Sequence, residues 1–500
     1  MPHSESSRRA ARLGVLLLAL CLAPASPATG ERPRETSESP VIKTYDLTTY
    51  ISANDILMFL DNVGSFAYDK TAYLGQNDGL HFPGNCPLSV IFAAGVWVGA
   101  RVNGAPRVAA AEFSQDFVPG PMAGGTFQPD QPGFKVYKIN RGDTPPTNPD
   151  YADWPFDDGA PALKNSAGDD SLDLSGNKIP LLLGDQALWC VFNDADPAGR
   201  RSNPGGGSLG PLGVEIQVYA FAYDAEDELG RIVFMFYTFI NKGGNVFEDT
   251  YISLWADPDL GDASDDFVGC DVDRSLGFSY NDGSDFKYGA NPPAVGFSIL
   301  LGPTVPSLGD SAWDFHGQTW IPDHRNLPMT SFNKYINGTD PQNVFETYNY
   351  MQGLGFRGSI QIDPTTGAPT TYVYSGDPVA GTGWLDQNSS DRRYMLSMGP
   401  LAMAPGDTQH VFAAVLVGAS DDYDCIIPLF VDTIFAVHTA GTSAGEVFAL
   451  IVDPTATESP TADPRSPSMH ESIAGQPSNW AKPHRKSSSP ASDVNSSLLP

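Results

Sequence analysis

The segment WADPDLGDASDDFVGCD, Trp255 to Asp271, carries six aspartates, Asp257, Asp259, Asp262, Asp265, Asp266 and Asp271, and no lysine or arginine. Carboxylates at this density repel one another. Two charges ~6 Å apart cost about 0.7 kcal/mol even at the dielectric of water, and more beside a low-dielectric sheet. An Asp-rich loop with turn-forming side chains needs no ligand, but so many like charges without an internal base favour a bound cation. Calcium fits the donor set, because it takes roughly six to eight hard oxygens from carboxylates, carbonyls and water. Asp257 and Asp259 project from one turn around Pro258, and Gly261 permits a reversal. Asp262, Asp265 and Asp266 can then close the shell, with Asp271 and Asp273 in reserve. The spacing is not that of an EF-hand: counted from Asp257, the position that needs glycine is Asp262, and the one that needs glutamate is Val268. The expected role of the ion is structural, pinning a loop between strands.

Other chemistry-bearing patterns are weaker. Gly441 to Gly445, GTSAG, fits the G-x-S-x-G nucleophile elbow around Ser443. The acid and histidine of a hydrolase would have to follow it, and only Asp453, Asp463, His470 and His484 do so, mostly in a polar tail. The histidines show no HExxH or HxH spacing; His316 and His324 bracket Trp320 in an expected loop. Paired carboxylates for glycoside hydrolysis can be picked from so many aspartates, but their separation is not readable from sequence. Trp255, Trp313, Trp320 and Trp384 are candidates for a sugar-stacking platform, against the commoner role of packing residues. An RGD tripeptide at Arg141 to Asp143 is read as chance.

These residues must be positioned by a chain rich in punctuation. Among 500 residues there are 50 glycines and 43 prolines, well above the usual combined share of roughly 12%, which suits short strands joined by turns. The net charge of -30 repels nucleic-acid phosphates and anionic lipid, so no nucleic-acid partner is expected. Arg8, Arg9 and Arg12 precede the apolar run Leu13 to Ala23, and small residues follow, so residues 1–28 read as a signal peptide. Leu20 before Cys21 argues against a lipobox. With the signal removed, no membrane insertion is expected, and the protein is placed as secreted or on the cell surface. Cys86, Cys190, Cys270 and Cys425 then remain, enough for two disulfides with the pairing open, or for buried free thiols.

A polar linker, 29–42, leads into an N-terminal β module, 43–203. Within it, Cys86 to Phe113 reads as two strands around the turn Asn103-Gly104, residues 118–178 as long loops, and Gly184 to Asp194 as strand. A β-sandwich module, 204–452, contains the acidic loop 255–273. Here Val214 to Tyr223 alternates, with Val214, Ile216 and Val218 on one face and Glu215 and Gln217 on the other. Arg231 to Ile240 is apolar on both faces, as in a covered central strand. Asp249 to Ala256 is expected as the third strand of an antiparallel meander, with the acidic segment at its exit. Further strands are expected at Gly277 to Tyr280, Ala294 to Gly302, Thr370 to Ser375, Arg392 to Met398 and His410 to Gly418. Residues 453–500 form a Ser/Pro-rich tail expected to be disordered.

The block ADPDLGDASDDFVGCD, followed by SLGFSYNDG and NPPAVGFSILLGP, resembles a group of large uncharacterised secreted bacterial proteins that share a DxDxGDxxDDxxGCD block. FLDNVGSF, AAGVWVGARVNG, GDQALWCVFND, FINKGG, YSGDPVAGTGW and GPLAMAPGDTQ extend the likeness over roughly residues 50 to 420. The resemblance implies export and β architecture, and no activity. Many members carry a sorting domain of the type IX secretion kind; here the Ser/Pro-rich tail is expected in its place, so that export route is not expected. The expectation is a mainly β protein of antiparallel sandwich modules with long Gly/Pro/Asp-rich loops. Its expected function is an extracellular or cell-surface structural or binding role with a calcium-stabilised acidic loop, more in keeping with a non-enzyme and with an unknown extracellular ligand. The alternative is a secreted carbohydrate-active hydrolase.

Overall fold

The computed structural model describes residues 47–419, apart from 85, 114–115, 128–133, 199–209 and 315–318. The expected signal peptide, linker and tail, with Cys425, His316 and the Gly441 to Gly445 motif, lie outside the described residues. The described chain is mainly β, and most of its strands pair antiparallel in a ten-stranded and a nine-stranded sheet, with three two-stranded pairs besides. No described helix is long and apolar enough to cross a membrane.

Period-two patterning builds the sandwich. Val214, Ile216 and Val218 of strand Val214–Ala222 turn into the main core, while Tyr219 and Phe221 lie on the opposite face. The core between the sheets joins Met58, Leu60, Val96 and Leu254 of the ten-stranded sheet to Cys190, Val218, Met235 and Phe297 of the nine-stranded one. Phe297 is its hinge of contact, 5.4 Å from Phe66 and 5.9 Å from Tyr394 between ring centroids. Each sheet is also covered outside, which explains the strands that are apolar on both faces. The segment around Trp154 and Leu183 covers the nine-stranded sheet. Helix Val344–Met351, capped by the Asn343 side chain, lies over Trp97 and Trp255 of the other. The hairpin forms at Asn103-Gly104, with φ of 52° and 79° at its two turn residues.

Three expectations are corrected. The third meander strand leaves its neighbours. Strand Val214–Ala222 pairs with Ile232–Asn241, but Phe247–Asp257 crosses to the ten-stranded sheet, between Ala93–Val102 and Arg392–Met403. The edge beside Ile232–Asn241 is occupied instead by Thr408–Gly418. The Asn241 side chain folds the intervening turn, donating to the carbonyls of Asn245 at 2.8 Å and Met403 at 3.0 Å. Second, Thr370 to Ser375 is not a full strand: only Pro369–Thr370 pairs as one, and Tyr374 sits at φ 57°. Third, the described cysteines form no disulfide. Cys190 and Cys270 are buried, and each thiol points to a backbone carbonyl, that of Asp61 at 3.5 Å and of Val373 at 3.6 Å. Burial, helped by nearby carboxylates, pushes both thiols well above their usual pKa. The expected boundary at 203/204 falls between directly paired strands, Gln186–Asn193 and Val214–Ala222, and both sheets take strands from each side of it.

If Phe297 joins the two sheets, Phe297→Ala is expected to cost about 3–5 kcal/mol in chemical denaturation. A loss below about 1 kcal/mol would show that the sheets do not depend on this ring.

Candidate metal centre at the sheet rim

Strand Phe247–Asp257 ends in the acidic segment, as its sequence suggests. Its last residue, Asp257, pairs with Ala93, and its carbonyl accepts from the Phe92 N–H at 2.9 Å. On the other side Ala256 pairs with Tyr394, which places Arg393 and Asp391 beside Asp257. Asp259 follows two residues on, beyond Pro258. One oxygen from each of Asp257, Asp259 and Asp391 lies within 4.8 Å of the others. Asp257 is fully buried; Asp259 and Asp391 are half-buried. Asp391 Oδ2 accepts from Asn337 Nδ2 at 2.9 Å, which orients the carboxylate.

One guanidinium serves this rim. Arg393 is 5% exposed, with Nε 3.5 Å from Asp257 Oδ2; its Nη1 pairs with Asp340. It stacks over the Phe113 ring at 5.3 Å. Burial works against the Arg393 charge, but Asp257, Tyr335, Asp340 and Glu112 outweigh it and hold the group above its usual pKa. The neighbouring Arg392 is committed to Asp386 at 2.6 Å. Behind Arg393, Trp255 Nε1 donates to Tyr335 Oη at 2.7 Å, and the Tyr335 hydroxyl donates to Glu112 Oε1 at 3.5 Å. Burial, opposed by Arg393, pushes the Glu112 carboxyl well above the usual range. Three carboxyl groups, those of Asp257, Asp340 and Glu112, thus act on the one Arg393 charge.

The six aspartates of the segment do not share one cage. Only Asp257 and Asp259 join the convergent group, and Asp391 joins them from a strand start more than a hundred residues later. Asp262 makes a turn, accepting from Ser264 N at 2.9 Å and Ser264 Oγ at 2.6 Å, and these bonds hold its pKa low. Asp265 and Asp266 flank Asn281, whose Nδ2 donates to Asp265 Oδ1 at 2.9 Å. Asp266 is fully buried and accepts from Leu260 N at 3.2 Å. Asp271 pairs with Arg274 at 2.6 Å, at the far end of strand Asp266–Asp271, roughly 17 Å along from Asp266.

Asp285 was not singled out by the sequence, yet it organises this loop. Its carboxylate accepts from Asp262 N at 2.7 Å, Lys287 N at 2.7 Å and Tyr288 N. Gly261, at φ 69°, makes room for it: a Cβ there would lie 2.2 Å from Asp285 Oδ1. Asp340, Asp391, Arg393 and Glu112 were also missed, because strand pairing and loops distant in sequence, rather than their own flanking residues, bring them near Asp257. The candidate sugar platform is dispersed. Trp255 is buried and stacks on Trp97 at 6.0 Å, Trp313 packs against Trp320, and Trp384 packs on Tyr374.

No protein-family model and no curated protein matches the chain. Among solved structures, the crystal structure of Aspergillus nidulans amine oxidase aligns with a TM-score of 0.20 and 9% identity, over 83% of this chain and 56% of that one. The chain thus spans about half the length of that protein, and a likeness this weak carries no argument about fold or chemistry.

Crowding has a pH signature. Burial, then the charges of Asp285 and Asp262, pushes Asp265 up to about 6 from 3.8; burial, then Asp259, pushes Asp266 up as well. A carboxyl raised on folding stabilises most below its unfolded pKa, and that contribution is lost as pH rises through the folded value. In chelator, wild type is therefore expected to lose stability relative to Asp265→Asn between about pH 4 and pH 6. Melting curves across that range test this; a variant that follows wild type at every pH would refute the crowding.

Proposed function

We propose that this is an exported extracellular or cell-surface protein with a structural or binding role, in which calcium closes the acidic rim through Asp257, Asp259 and Asp391. The observation that carries the calcium reading is the convergence of three carboxylates within 4.8 Å of one another, beside the buried Arg393 guanidinium. Three carboxylates offer up to six hard oxygens, and backbone carbonyls or water can supply the remainder that calcium takes. Magnesium, which demands near-octahedral geometry and keeps its waters, suits this partly exposed set less well. The ion would tie the exit of strand Phe247–Asp257 to the start of Arg392–Met403, two neighbours in the ten-stranded sheet. That is a staple and requires no reaction. The export part rests on the basic, apolar and small-residue order of residues 1–28.

Calcium titration of the chelator-treated protein tests the reading. The informative variant is Asp259→Asn/Asp391→Asn, because removing Asp257 would also strip the buried Arg393 of a partner. At roughly 100-fold excess over Kd, wild type is expected to gain about 2.7 kcal/mol, seen as a Tm rise of several degrees. The double variant is expected to lose that rise while folding normally in chelator. An equal calcium response in both proteins would overturn the assignment.

A further inference from the structure

A second site lies on the opposite side of the molecule's chemistry, against the outer face of the nine-stranded sheet. Cross-strand pairing sets Trp189 opposite Tyr219, and Tyr219 opposite Phe236, so three aromatic residues form one row. Gln217 and Thr238 pair in the adjacent row. The segment 156–183 stands over this face as a wall, and a cleft of ≈ 330 Å³ remains between the two. That volume falls within the range of small-molecule sites, about 300–1,000 Å³.

The wall is held in place by the sheet itself. The Tyr219 hydroxyl donates to the Leu181 carbonyl at 3.0 Å and accepts from Leu183 N at 2.9 Å. Trp154 Nε1 donates to the Pro161 carbonyl at 3.1 Å. Leu183, Trp189 and Tyr219 are nearly fully buried by this packing, so the cleft is a built feature of the sheet and its wall. Its polar floor is already engaged. Gln217 Nε2 donates to the Asp158 carbonyl and to Glu215 Oε1, both at 3.2 Å, and Thr238 Oγ1 lies 3.2 Å from His410 Nδ1. Glu215 is in turn neutralised by Lys242 at 2.6 Å.

The mouth has a different character. Lys164 and Lys178 both pair with Asp170, one on each carboxylate oxygen. At the mouth two ammonium groups thus share the single carboxylate of Asp170. Each ammonium has three N–H donors and spends one on Asp170. Lys178 Nζ also lies 5.7 Å from the centre of the Phe156 ring, which joins the charged mouth to the apolar interior.

We propose that this cleft binds a small amphipathic monocarboxylate, an aryl-alkyl or medium-chain alkyl acid. Its apolar body lies between Phe156 and the Trp189, Tyr219 and Phe236 row, and its carboxylate meets Lys164 and Lys178. A polyhydroxylated sugar fits less well, because its hydroxyls would need partners where the floor donors are already used.

Isothermal titration calorimetry on the full chain tests this, with 4-phenylbutyrate and octanoate as probes and 4-phenylbutanamide and methyl β-glucoside as neutral controls. Both acids are expected to bind saturably, with the amide weaker by about tenfold or more. Lys164→Gln/Lys178→Gln is expected to reduce acid affinity by a similar factor, and Ala162→Trp, which fills the cleft from the wall, to abolish it. Absence of saturable binding by both acids at millimolar concentration would overturn the proposal. So would equal binding of acid and amide, binding of the glucoside alone, or unchanged affinity in Ala162→Trp.

Discussion

The rim of the ten-stranded sheet depends on one buried charge. Arg393 sits almost wholly out of water, where an unpaired guanidinium would cost several kcal/mol. Its placement is tolerable because Asp257 ends the neighbouring strand and Asp340 reaches it from another loop. The surroundings are shaped to hold this pairing. Phe113 lies beneath the guanidinium, Trp255 fixes Tyr335 behind it, and helix Val344–Met351 closes the outer face. The strand that carries Asp257 is central in its sheet, so displacing Asp257 would disturb the pairing on both sides.

Solving the arginine's problem creates another. Several acids gather at the rim around Arg393, and burial sharpens their repulsion. The protein meets part of this by holding the Glu112, Asp265 and Asp266 carboxyls above their usual pKa, with burial the first cause at each. It meets another part with backbone N–H groups, as at Asp262 and Asp285. The convergence of Asp257, Asp259 and Asp391 is the place where, in the function proposed above, a hard divalent cation would take up like charge. On that proposal, calcium and acid would relieve related strains at neighbouring places. The cleft on the nine-stranded sheet follows the inverse logic, since there one carboxylate is shared by two lysines.

The sequence made the local features legible and left the long-range ones hidden. Alternation at Val214, Ile216 and Val218 and the Asn103-Gly104 turn are set by neighbours in the chain, and both stand as expected. The path of Phe247–Asp257 is not a local property. It is decided by competition with Thr408–Gly418, a strand some 150 residues later that takes the edge the meander would have used. The acidic segment was legible as a crowded strand exit, but its aspartates look alike in sequence and differ in their partners. Ser264, Asn281 and Arg274 claim three of them locally. Asp391 and Asp285 complete the picture from elsewhere, and nothing in their own flanking residues, NSSDRR and DGSDFK, marks them as partners of the segment.

The central claim is that the three rim carboxylates converge on a cation. Anomalous diffraction from crystals grown with calcium tests it most directly. The account predicts an anomalous peak about 2.3–2.6 Å from oxygens of Asp257, Asp259 and Asp391, with the Arg393 pairing retained. An empty rim in such crystals, with the three carboxylates still converged and the peak absent or elsewhere, would contradict it.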